Sequence, residues 1–251
     1  MAGNTSRPGV SVTSRVLAIL AAFDERHRRL TLSELARRAD LPIPTAHRLA
    51  NELVAGGALT RRPQGDYVVG RLLWDVGLLA PVEADLRRVA EPILHDVHAT
   101  TRATVHLAVR DGDHVLYLER MRGRASVPVM STIGSTLPMH STGVGKVLLA
   151  HAPPDVRERV AARLTRVTPY TVTQPPILAE QLERVRRDGY ATTSEEMTLG
   201  AASLAVPVVR DDEVVVAAIG VVVASLRRDR ARLLAALQVA ARGISRQLSE
   251  R

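Results

Sequence analysis

The sequence predicts an α+β protein of two domains, and three observations carry that prediction. Residues 31–55 read as two helices with a proline-containing break between them, followed by a short hairpin over residues 59–69. Near Thr104 the apolar period changes to two, and Asp111-Gly112-Asp113 separates two alternating runs as a hairpin signal. Two later apolar runs, joined through Asp211-Asp212, precede a closing amphipathic helix. The mixed strands and helices of the later part, with sequential antiparallel hairpins, indicate an α+β domain with an antiparallel sheet, preceded by a smaller, mainly helical one.

The first domain is expected over residues 1–70. Residues 1–10 are read as a mobile arm. A helix follows with Val12, Val16, Ile19, Leu20 and Phe23 on one face and Arg15 at its start on the other side. Thr31 with Glu34 three residues on is a capping-box start for the next helix, Leu32 to Ala39. Asp40-Leu41-Pro42 stops it, because proline disfavours helical geometry in the residue before it. Pro44 suits the first position of a second helix that runs to Ala55. There Ala46, Leu49, Ala50 and Leu53 recur as a buried stripe, leaving Thr45, His47, Arg48, Asn51 and Glu52 off it. This is helix-turn-helix geometry, in which residues at the start of the second helix meet base edges in the major groove. Gly56-Gly57 end the helix. Leu59 to Arg62, a Pro63–Asp66 turn and Tyr67 to Val69 then read as a wing that places Arg61 and Arg62 against phosphate. The pattern implies double-stranded DNA as a partner.

Composition sets outer limits. The 251 residues suffice for two cores, and the net charge of +8 favours a polyanionic partner. Lys146 is the only lysine, so the positive charge is nearly all arginine. Residues 1–80 carry eleven arginines against seven acidic residues, a surplus of four, and the longer remainder carries the other four. The absence of cysteine excludes disulfides, thiol catalysis and cysteine-ligated zinc. There is no apolar run of about 18 residues, so no membrane span is expected. The polar start MAGNTSRPGV is unlike a secretory signal, and a cytoplasmic protein is expected.

Residues 71–81 read as a linker helix carrying the only tryptophan, Trp74, and broken by Pro81. The second domain is expected over residues 82–251. A helix from Val82 to Thr100 is kinked or restarted near Pro92. Strands follow at Thr104–Val109, Val115–Arg120 and about Val127–Ser131. A helix opens between His140 and Ala150 after a glycine-rich turn, and another spans residues 176–188. Tyr190–Ser194, Ser203–Arg210 and Val214–Ala224 read as strands. Residues 226–249 close the chain, with Leu233, Leu237, Ala240, Ile244 and Leu248 in phase.

Three stretches carry a resemblance over nearly the whole chain: LPIPTAHRLANELVAGGAL in the helix-turn-helix, GSTLPMHSTGVGKVLLA at 134–150, and GYATTSEEMTLGAASLAVPV at 189–208. On these the sequence resembles the IclR family of bacterial transcription regulators. The resemblance implies a winged helix-turn-helix, a linker helix and an effector-binding domain. It implies a homodimer or dimer of dimers on operator DNA, a repressor rather than an activator, and an organic acid or aromatic metabolite as effector. DNA contacts carry over to Arg15, Thr31, Pro42, Thr45 and Arg48; of these, Arg15, Thr45 and Arg48 agree with the reading from the residues themselves. His47 and the wing residues Arg61 and Arg62 complete the expected interface. Effector contacts carry over to Val129, Leu137, Gly143, Val144, Thr193, Ser203, Gly220 and Val222. Thr193 stands where relatives can have a carboxylate, and Gly220 and Val222 where they can have hydroxyls, so a larger or more apolar effector is expected.

Chemistry beyond binding finds little support. Ser141 to Lys146 is no phosphate loop, because His140 and Val147 occupy the positions that would need a glycine and a hydroxyl. Its glycines before a helix start nevertheless suit a carboxylate. Glu195-Glu196, read as strand neighbours, point to opposite faces and cannot flank a substrate; one of them is expected to order the loop before Gly200. His95 and His98 lie one turn apart without a third ligand, and Lys146 has no evident desolvated setting for a Schiff base. No catalytic residue, metal or cofactor is therefore expected. An enzyme with an accessory helix-turn-helix lacks a catalytic constellation, and an effector-independent architectural protein would not need so large a second domain.

Overall fold

Caps and breaks define the first unit of the computed structural model, which describes residues 11–24, 27–77, 84–123, 127, 129–210 and 214–250. Residues 1–82 and 83–251 form separate compact units. The predicted arm (1–10) and the end of the predicted linker (78–81) lie outside the described residues.

In the first unit Ser11 caps helix α1 (Val12–Ala21), its hydroxyl accepting from the Ser14 N–H at 3.0 Å. Helix α2 (Leu32–Arg38) starts with the complete capping box of Thr31 and Glu34. Asp40 takes a left-handed φ of 53°, and helix α3 (Ile43–Ala55) begins after Pro42. Strands β1 (Leu59–Arg61) and β2 (Tyr67–Val69) pair antiparallel as the wing, with Leu59 opposite Val69. Ile19, Leu30, Leu35, Leu49, Leu59 and Tyr67 are the buried centre of this unit. Gly70 follows because a Cβ there would lie 2.2 Å from the Gly57 carbonyl oxygen. Helix α4 (Arg71–Gly77) then covers part of the predicted linker, with Trp74 exposed.

In the second unit helix α5 (Ala84–Thr101) continues through Pro92 rather than restarting there. Strands β3 (Thr104–Asp111) and β4 (His114–Met121) form the expected hairpin, turned by Gly112 at a φ of 57°. Strand β5 (Thr136–Pro138) pairs with β4. Helices α6 (Gly143–Ala150), α7 (Pro154–Ala161) and α8 (Pro175–Asp188) follow, then β6 (Ala191–Ser194), β7 (Ala202–Arg210), β8 (Val214–Val223) and α9 (Arg230–Ser249). The sheet is antiparallel in the order β5-β4-β3-β8-β7-β6. One face packs Leu107, Ile219 and Leu204 against Leu94 of α5 and Leu237 and Ile244 of α9. The other carries Ala108, Ala205 and Ala218, small side chains that let α6 lie close to the sheet.

Three expectations need correction. Among the described residues of that stretch, 127 and 129–131, no strand forms; the β4 edge pairs with 136–138. Pro128 supplies no N–H to a ladder, and Ser131 is bound through its side chain and carbonyl instead. Helix α7 was not among the predicted elements; Pro154 stands at its first position, where proline favours a start. The closing helix begins at Arg230 rather than 226, and α6 begins at Gly143 rather than near His140. The predicted Asp211-Asp212 turn lies outside the described residues.

Candidate functional site

On the first unit, α3 buries Ala46, Leu49 and Ala50 and exposes His47 and Arg48. The Arg48 guanidinium donates to Glu52 at 2.6 Å one turn along the helix, a solvent-exposed pair. Such a pair is worth about 0.3–0.5 kcal/mol, so Arg48 can exchange it for another acceptor at small cost. His47 bonds Asn51 at 3.2 Å. Thr45 and Arg15 are half-buried and Pro42 is exposed. Thr31 has its hydroxyl proton on Glu34 (2.8 Å), so it has only a lone pair to offer a further donor. The wing arginines differ. Arg61 is exposed and lies 5.9 Å over the Tyr67 ring, while Arg62 is partly spent on Asp66 at 3.5 Å. Arg28, Arg29 and Arg37 are also exposed, and no sequence pattern singled them out. Arg38 is structural, donating to the Ala22 carbonyl and to Asp24, each at 2.6 Å.

On the second unit the eight expected effector residues, Val129, Leu137, Gly143, Val144, Thr193, Ser203, Gly220 and Val222, all border one cavity. Its empty space is about 520 Å³ with the mouth included. The floor is the α6 side of the sheet, and the start of α6 forms one wall. Thr142 caps α6, accepting from the Gly145 N–H at 3.2 Å. The N–H groups of Gly143 and Val144, in the first turn, have no carbonyl within the helix to bond. Beneath them Ser203 and Thr193 share a 2.6 Å hydrogen bond. A Cβ on Gly143 would lie 2.5 Å from the Ser203 hydroxyl oxygen, so glycine is what lets the helix start and this hydroxyl meet. Backbone donors, two hydroxyls and the positive end of a helix dipole together suit an anion.

The cavity also holds groups that sequence reasoning missed: His106, Tyr117, Ser131, Ser141 and Met197. His106 Nε2 and the Ser131 hydroxyl are 2.7 Å apart, and the Tyr117 ring meets the imidazole edge-on at 5.0 Å between centroids. Burial, helped by the nearby Arg120 charge, pushes the His106 pKa down to about 3. Burial raises that of Tyr117, whose hydroxyl is held by Thr142. Strand alternation put His106 and Ala108 on one face, but nothing local said that this face would line a cavity.

Met197 and Thr198 belong to the segment between β6 and β7, which also walls the cavity. Glu195 and Glu196 lie past the end of β6, not on a strand as read from sequence, and Glu195 has a φ of 57°. Its carboxylate accepts from the Gly200 N–H at 2.6 Å, ordering the loop as expected. Glu196 instead accepts from Lys146 Nζ at 2.5 Å, and Nζ also donates to Gln181 at 2.7 Å. The hydroxyls of Thr168 and Thr171 hold the carbonyls of Glu195 (2.6 Å) and Glu196 (2.7 Å). Burial lowers the Lys146 pKa, with Glu196 opposing that shift. His98 bonds the Ala103 carbonyl at 2.9 Å, and His95 is exposed. Among the described residues no three metal-capable side chains gather, and no helix is long and apolar enough to cross a membrane.

Both units match known proteins. Residues 12–63 match the family model described as the IclR helix-turn-helix domain, and residues 80–246 that of the bacterial transcriptional regulator IclR C-terminal. The chain is 31% identical over 229 residues to the regulator XynR of Escherichia coli (strain K12), covering 90% of this chain and 91% of that protein. It is 30% identical over 220 residues to the repressor AllR of Salmonella typhi, covering 86% and 81%. A solved IclR homologue from Microbacterium hydrocarbonoxydans, complexed with 4-hydroxybenzoate, superposes with a TM-score of 0.88 at 36% identity, covering 95% of this chain and 99% of that one.

Proposed function

Because the chain belongs to the IclR family of DNA-binding transcriptional regulators with a ligand-binding C-terminal domain, we propose that a carboxylate-bearing metabolite held at the start of α6 sets its affinity for operator DNA. The observation that carries this reading is the convergence of Gly143, Val144, Ser203 and Thr193 on one cavity in the second unit. The metabolite's carboxylate takes the free N–H groups and the hydroxyls; Val129, Leu137, Val144 and Val222 enclose its apolar body. On the first unit Arg48, with Thr45 and His47, reads bases, while Pro42, Thr31 and Arg15 sit against the backbone. Arg61 neutralises phosphate in the wing, and Arg62 contributes less because Asp66 holds it. The protein works in the cytoplasm as a homodimer or dimer of dimers, and as a repressor like the relative named so. It is not an enzyme: the relatives are named regulators, and its one lysine is paired with Glu196 rather than free to attack a carbonyl.

Two measurements test this reading. Arg48→Ala is expected to weaken operator binding by about 1–3 kcal/mol while leaving random DNA nearly unaffected, if the guanidinium forks onto a base. Gel-shift titration on both DNAs decides, and an equal loss on both moves Arg48 to the phosphates. Gly143→Ala displaces the Ser203 hydroxyl. Losing one bond to a charged group is worth about 1.5–3 kcal/mol, so acid binding should fall by roughly 10–150-fold. Operator affinity without ligand should stay near wild type. Calorimetry against a panel of aromatic and aliphatic carboxylic acids reads the first quantity, and unchanged acid binding would overturn the anion site.

A further inference from the structure

One wall of the cavity is a loop that is closed on itself. Residues 195–201 join β6 to β7; Met197, Thr198 and Ala201 border the cavity, while Leu199 and Gly200 are exposed. The neck of the loop is tied by its own bonds. The Glu195 N–H donates to the Ala201 carbonyl at 2.7 Å, and the Gly200 N–H donates to the Glu195 carboxylate at 2.6 Å. Glu195 and Gly200 take left-handed φ values of 57° and 72°. A glutamate keeps that conformation only where its surroundings fix it. Tied in this way, the loop moves as one piece. Side chains from outside hold it in place. Lys146 Nζ donates to the Glu196 carboxylate at 2.5 Å, the Thr168 and Thr171 hydroxyls donate to the Glu195 and Glu196 carbonyls, and the Ser141 hydroxyl donates to Met197 Sδ at 3.4 Å.

We propose that residues 195–201 are a flap over the cavity and that Lys146 and Glu196 are its latch, positioning residues that set access to the cavity without lining it. The inference rests on the reading of this cavity as the ligand site. The two charges lie on different pieces of the wall: Lys146 is on α6, whose first turn borders the cavity, and Glu196 is on the flap beside Met197. Parting them moves Met197 and opens the wall there. A buried ion pair suits a latch because its attraction is largely offset by the water that both charges gave up. When the flap swings out, ammonium and carboxylate recover that hydration. Glu196 Oε2, buried without a partner among the described residues, gains one from water. Apolar contact at the same place would recover nothing on opening. Gln181 keeps Lys146 Nζ bonded at 2.7 Å on the α6 side when the carboxylate leaves. The pair thus fixes the closed position and still lets the flap open reversibly.

The chain has no cysteine, so one introduced thiol reports on one place alone. Val144→Cys puts a thiol on the buried wall of the cavity, and Ala241→Cys puts one under α9, in the core on the other face of the sheet. The test is the rate at which iodoacetamide, an uncharged reagent, alkylates each thiol in the full chain, followed by mass spectrometry. Glu196→Gln should raise the rate at position 144 at least about tenfold and leave the rate at 241 unchanged, because opening is local. Equal acceleration at both positions would make the pair a support of the whole unit and overturn the latch; so would no acceleration at 144. Lys146→Met combined with Glu196→Leu keeps the test decisive if Glu196→Gln fails to fold. With apolar contact in place of the pair, position 144 should react more slowly than in the otherwise wild-type chain, and an equal or faster rate would overturn the proposal. No ligand is added, so failure of the latch and failure of the anion site show separately.

Discussion

Lys146→Met is expected to destabilise the protein by about 3–5 kcal/mol, the usual cost of leaving one member of a buried ion pair alone. Lys146 and Glu196 have side chains only 1% and 8% exposed. Without the ammonium, the buried Glu196 carboxylate loses its cation, with one oxygen, Oε2, already lacking a partner among the described residues. Gln181 loses its donor too. For a chain of this size the loss corresponds to roughly 6–20 °C in Tm. Lys146→Met combined with Glu196→Leu removes both charges and should recover most of the loss. Urea unfolding followed by circular dichroism measures all three proteins. A single variant within about 1 kcal/mol of wild type, or a double variant no better than the single, would show that the pair is not what holds the 195–201 loop against α6.

Acid should destabilise the second unit through His106. The unfolded chain protonates this histidine below about pH 6.5, the folded chain only near pH 3. Between those values the unfolded state holds the extra proton, so it gains on the native state as pH falls. The stabilisation is fully present above about pH 6.5 and is lost as pH falls towards 3, at up to about 1.4 kcal/mol per pH unit. The integrated effect is on the order of 4–5 kcal/mol. His106→Gln retains a polar side chain and removes the titration, so the difference between wild type and variant isolates this group from the carboxylates common to both. Wild type should lose stability relative to the variant as pH is lowered from 6.5 to 4. Parallel curves would mean that the folded protein accommodates the imidazolium, for instance by opening the cavity to water.

What could be read before any coordinates follows from interactions of short reach. The capping box joins Thr31 to Glu34 within one turn, the hairpin turns on Gly112 at a position that favours a left-handed φ, and the α3 stripe repeats every three or four residues. Each is decided by neighbours within a few positions, so the α+β class and the helix-turn-helix were legible from residue order. The effector positions came from resemblance alone, since Val129, Leu137 and Val222 look like ordinary core. At Val127–Ser131 the local reading chose a strand that the described residues do not form, and helix α7 was not predicted at all.

The cavity itself was set by tertiary structure. The strand order β5-β4-β3-β8-β7-β6 brings His106, Gly220 and Ser203 to one floor, although they come from three separate strands. Lys146 meets Glu196, 50 residues on, and Gly143 meets Ser203, 60 residues on. Long-range pairings of this kind depend on which strands become neighbours, and no local period encodes that choice. The residue order therefore determined most of the elements, the helix-turn-helix of this protein among them. Packing of the sheet against α6 decided which buried polar groups face the cavity, because only there do side chains distant in sequence share one desolvated space.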